Sequence, residues 1–104
     1  MKIINLGRGQ GKTTRLLYAS EWQDAPILCA TYAQKEHLIE MSKRLGLHIP
    51  EPIVVDEIGT DKIRASRAID KDILVDEAPL VLQYLLSFVG IRGEVKAITL
   101  SEKE

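Results

Sequence analysis

The sequence predicts an α/β fold built on a mainly parallel sheet of about five strands flanked by helices. Two observations carry this expectation. Short apolar runs recur at residues 2–6, 26–31, 53–55, 73–75 and 95–100, with helical patterns between most of them, the alternation that generates βαβ units. The first run leads into LGRGQGKTT (6–14), whose glycines Gly7, Gly9 and Gly11 cannot pack and are costly to order. With 104 residues, there is room for one core, so 1–104 reads as a single domain.

KIINL (2–6) is the first strand candidate. GKTTRLLYASEW supplies good helix formers from Lys12 to about Trp22, with Leu16 and Leu17 available to pack, and Asp24-Ala25-Pro26 breaks that helix. PILCAT (26–31) is a continuous apolar run bounded by turn signals, the pattern of a strand covered on both faces. Thr31 and Gln34 form a capping box that opens YAQKEHLIEMSKRLG, where Leu38, Met41 and Leu45 recur along one face and Gly46 stands as the C′ residue. Two prolines punctuate HIPEPIVVDEIG before a strand at 53–55, and IDKDILVDEAP holds another at 73–75. Pro79 fits the first turn of a helix running to about Val89, which Gly90 ends. VKAITL (95–100) is the last strand.

Composition narrows the function. Aromatics make up 5% of the chain, so Ile, Leu, Val and Ala must fill the core. A net charge of −1 gives no global attraction to nucleic acid or anionic membranes, and any nucleic-acid contact would be local. The lone Cys29 excludes an internal disulfide framework and reads as an inert buried thiol in a reducing, cytoplasmic setting. After Met1 and Lys2, only Ile3 and Ile4 precede Asn5, too short for an export signal. The longest apolar run, 79–91, is too short to span a bilayer and reads as a buried helix. His37 and His48 have no metal-ligand spacing; His37 is expected on a helix surface.

A strand, a glycine turn and Lys-Thr at a helix start form the layout of a phosphate-binding loop. Amides from Gly7, Arg8, Gly9, Gln10, Gly11, Lys12, Thr13 and Thr14 would surround a polyphosphate at the positive end of the helix dipole. Lys12 would reach the β- and γ-phosphates, and the Thr13 hydroxyl would ligate Mg²⁺. Position 6, where the strict pattern places glycine, is leucine. An apolar strand ending in an acid would complete the site, and ILVDEA (73–78) fits: Asp76 would hold Mg²⁺ and Glu77 would act as general base on the attacking water. IVVDEI (53–58) is a competing match through Asp56 and Glu57, but it leads into a turn rather than a strong helix.

GRGQGKTT together with VDEA resembles the Walker A and Walker B motifs of RecA-like P-loop ATPases, in the style of phage terminase large subunits and DExx helicases. The resemblance implies a three-layer P-loop (RecA-like) fold and a small phage-type P-loop NTPase. It also implies ATP and Mg²⁺ as cofactors, hydrolase activity in the DNA metabolism of a phage or mobile element, and, for a phage-encoded chain, the host cytoplasm. Thr99 or Ser101 would take the place of a γ-phosphate sensor. These 104 residues are expected to leave no room for the second domain that helicases and terminases use. Thymidine kinases also pair GKTT with DEA, but the zinc cysteines and the substrate lid have no counterpart here.

Two functions from different classes therefore stand: a Mg²⁺-dependent NTPase working in an assembly, and a nucleotide-binding regulatory or interaction protein that hydrolyses little. A cation for the transition state would come from Lys62, Arg64, Arg67 or Lys71, or from Arg92, unless these residues form a solvated basic face. The helix at 79–89 leaves almost no polar face, which predicts either a homo-oligomer or protein partner, or cover by the 48–70 segment.

Overall fold

The computed structural model describes residues 11–60 and 71–97. In chain order these form α1 (Lys12–Gln23), β1 (Ile27–Cys29), α2 (Tyr32–Arg44), β2 (Ile53–Val54), a 3₁₀ turn (Val55–Glu57), β3 (Leu74–Val75) and α3 (Ala78–Phe88). All three strands are parallel in the order β2-β1-β3. Leu28 aligns with Ile53 on one side and with Val75 on the other.

Local chemistry accounts for the helix ends. The Gln34 amide N–H donates to Thr31 Oγ1 at 3.2 Å, and Gln34 Oε1 accepts from the Ala30 N–H at 2.9 Å. The capping box therefore closes one residue earlier than its standard form, which would reach the Thr31 N–H. Helix α2 ends where Gly46 adopts φ +72°. The Leu47 and Gly46 amides donate to the Ser42 and Lys43 carbonyls, the paired bonds of a Schellman stop. Gly90, at φ +101°, ends α3 in the same way.

The sequence expectation of about five strands needs correction. The described residues hold a three-stranded, open parallel sheet, so the chain is a small α/β domain. It is not a five-stranded, three-layer P-loop fold, nor the RecA-like ATPase core that its motifs resemble. The strand expected at 2–6 lies outside the described residues, as do residues 98–100 of the last one. Residues 95–97 form no strand. Here Gln83 of α3 takes over the work of a neighbouring strand: its Nε2 donates to the Gly93 carbonyl at 3.0 Å and its Oε1 accepts from the Val95 N–H. Backbone groups satisfied by a side chain do not need a ladder.

Packing is uneven across the sheet. Leu17, Ile27, Cys29, Leu38 and Val54 form the main cluster, bringing α1 and α2 onto one face. On the other face a smaller cluster joins Ala30, Val55 and Val81, with Leu28 and Leu85 packed against it. Through it α3 leans on the 3₁₀ turn. Much of α3 stays uncovered, including Leu80, Tyr84 and Phe88 along one stripe.

A buried ion pair fixes that turn. Lys35 Nζ donates to Glu57 Oε1 at 3.1 Å and to Glu51 Oε2 at 2.7 Å, while Glu57 Oε1 also accepts from the Val54 N–H at 2.9 Å. Burial pulls the Lys35 ammonium down, but its hydrogen bonds to Glu51 and Glu57 outweigh this and leave it above the ordinary lysine value. Replacing one partner strands the other charge in the interior. Lys35→Met should therefore cost about 3 kcal/mol of stability, read as a lowered urea midpoint at unchanged slope. A loss within about 0.5 kcal/mol, the range of an ordinary surface substitution, would show that the pair is not a support.

Candidate functional site

Parallel pairing sends the carboxyl ends of β1 and β3 to one rim of the sheet, the usual place for ligands in open α/β folds. Asp76 follows β3 immediately, and its amide donates to the Leu28 carbonyl at 3.0 Å, extending the pairing by one bond. The chain then turns sharply. Glu77 caps α3 with φ 55° and ψ 60°, the left-handed region that non-glycine residues rarely occupy. Its carbonyl accepts from the Leu80 and Val81 amides at 2.9 and 3.0 Å.

This turn aims the Glu77 carboxylate at the start of α1. Lys12 Nζ lies 3.6 Å from Glu77 Oε1, with the two side chains 40% and 49% exposed. Gly11, ahead of Lys12, has φ +77°. A Cβ there would meet nothing within 4 Å, so the backbone angle rather than space calls for glycine. As the N-cap it has no side chain with which to claim the first-turn amides, which leaves the donors and the positive dipole end of α1 on the same rim as Asp76 and Glu77.

Asp76 is half-buried. Burial, and next the Glu77 charge, raise its carboxyl above the ordinary value, while Lys12 and His37 pull it back. His37 is the residue that sequence reasoning passed over. Its position on an exposed face of α2 matches the expectation, but its charge reaches Asp76. No local pattern could have shown this, because it follows from β1 lying beside β3.

The structure therefore brings Lys12, Asp76 and Glu77 together, and places Thr13 and Thr14 on the next positions of the same helical turn. Gly7, Arg8, Gly9 and Gln10 lie outside the described residues, as do Lys62, Arg64, Arg67, Thr99 and Ser101. Lys71 is paired with Asp24 at 2.9 Å. Asp24 caps the far end of α1, about 18 Å of helix away from Lys12. Arg92 is exposed beyond α3. The competing pair at 56–57 splits: Asp56 is exposed, and Glu57 is occupied by Lys35 and the Val54 amide. Among the described residues no cluster has the three or more acid, His or Cys ligands of a self-sufficient metal site. No helix among them is long and apolar enough to cross a membrane.

No protein-family model, curated protein or solved structure matches the chain.

The raised Asp76 carboxyl links the site to stability. The folded chain holds a proton there over a range in which the unfolded chain has lost it, so stability falls as pH rises from the ordinary value of 3.8 through the raised one. Asp76→Asn removes this cost. The variant should melt above wild type at pH 7, with the advantage disappearing below pH 3.8. Thermal melts at the two pH values check this, and an equal or lower melting point at pH 7 refutes it.

Proposed function

We propose that this chain binds the polyphosphate of a nucleoside triphosphate, ATP in the first instance, at the rim where α1 and α3 begin, and hydrolyses it with Mg²⁺. The observation that carries this reading is the approach of the Lys12 ammonium to Glu77, beside a half-buried Asp76. A lysine and two acids converging on an uncapped helix start are parts that recur where a phosphoryl group is transferred to water.

The side chains divide the work. Lys12 neutralises the β- and γ-phosphates, and the amides at the start of α1 donate to their oxygens. Glu77 orients a water and takes its proton as the new P–O bond forms and the bond to the leaving nucleoside diphosphate breaks. Asp76 and Thr13 offer hard oxygen donors suited to Mg²⁺, and the charge that burial makes costly on Asp76 is the kind a cation relieves. When bound, the ion would neutralise negative charge on the polyphosphate.

One observation favours the second reading, a nucleotide-binding regulatory or interaction protein with little turnover. In the structure the Glu77 carboxylate faces Lys12, which engages the base that turnover would need.

The apolar stripe on α3 supports participation in an assembly. Leu80, Tyr84 and Phe88 are exposed at a spacing of four, Phe88 at 61%, and the helix carries no charged residue. A second copy meeting this face would cover it symmetrically. Sedimentation at two concentrations should show association that Phe88→Asp abolishes; a strict monomer refutes it.

Binding and turnover are measured separately. Mg²⁺–ATP at 100-fold over Kd should stabilise the protein by roughly 2.7 kcal/mol, and Lys12→Ala should abolish that shift. Glu77→Gln should keep the shift while turnover falls at least about 100-fold. Binding without turnover in wild type selects the second reading, and no shift with any nucleotide rejects both.

A further inference from the structure

The contact between Lys12 and Glu77 sets the two main actors of the proposed site against each other before any ligand arrives. At 3.6 Å the pair is longer than a charge-assisted hydrogen bond, and both side chains are well exposed. Such pairs are weak, because water screens them and two side chains must be held in one geometry. A polyphosphate brings several negative charges to the same ammonium, together with the first-turn amides of α1. Glu77 therefore loses the competition for Lys12.

We propose that the Lys12–Glu77 pair is a latch on the empty site, which the entering polyphosphate opens by taking over the Lys12 ammonium. This rests on the polyphosphate-binding reading above and adds regulation to it. The main chain of Glu77 is held in place, since its carbonyl accepts from two amides of α3. Opening is therefore a swing of the side chain, with the helix left where it is. The freed carboxylate moves off a cation that no longer needs it and becomes available to orient water only once phosphate is present. The empty site thus keeps its base occupied, and the filled site releases it.

The latch makes a counter-intuitive prediction about affinity. Breaking it from the Glu77 side should tighten polyphosphate binding, because the ligand no longer competes for Lys12. The probe is inorganic triphosphate, titrated without divalent cations at low ionic strength into the 104-residue chain as wild type, Glu77→Gln and Glu77→Asp. Glu77→Gln should bind about two- to fivefold more tightly. Glu77→Asp keeps the charge but loses a methylene of reach, so it should tighten binding by a similar factor. Simple repulsion between Glu77 and the anion predicts something different: tightening in Glu77→Gln alone. That result overturns the latch, as does unchanged or weakened binding in both variants, and either leaves the binding reading intact. If folded wild type binds no triphosphate, the site and the latch fail together.

Discussion

The carboxyl rim of this domain depends on one buried carboxylate. Glu57 accepts from Lys35 on α2 and from the Val54 amide at the end of β2, which forces the chain out of the strand and into a 3₁₀ turn. The turn presents Val55 to Val81 of α3. Because α3 touches the sheet through so few side chains, its placement after the Glu77 cap depends on this turn as well as on the Asp76 bond to β1. Ion pairing deep in a small protein is an expensive way to hold a turn, since desolvation offsets much of the attraction. The bond to a main-chain amide turns that cost into a fixed geometry that an apolar pair would not impose.

How much of this was legible in the sequence depended on how local the cause was. Helix ends were readable because each is set within a few residues: the Thr31–Gln34 cap, the glycines at 46 and 90, and Pro79 in the first turn of α3. The number of strands was not. VKAITL has the composition of a strand, yet Gln83, a dozen positions upstream, satisfies the backbone at Gly93 and Val95. The motifs resembling a RecA-like ATPase cover about fifteen residues, and such a stretch cannot dictate how many strands the remaining residues build.

The two Asp-Glu pairs teach the same lesson about the site. IVVDE and ILVDE are nearly identical as text, but Glu57 is neutralised by Lys35, a residue 22 positions away, whereas Glu77 turns toward Lys12. The sheet order separates them, since it sets β2 and β3 on opposite sides of β1. That order also explains His37, whose electrostatic influence on Asp76 has no signature in its own neighbourhood. Asp76 carries the opposite tension: the burial that suits it to a cation is unfavourable for the empty fold, a common compromise at functional positions.

Cys29 offers a last consequence. It is fully buried on the central strand, its thiol donates to the Ile53 carbonyl at 3.5 Å, and burial, followed by the Asp76 charge, lifts its pKa to about 11. At neutral pH this sulfur is both out of reach and almost entirely protonated, so an alkylating reagent can meet it only after the core it shares with Leu17 of α1 and Leu38 of α2 opens. The chain thus carries its own stopwatch: the speed of thiol labelling in native buffer reports how often that core comes open, without any dye or added tag.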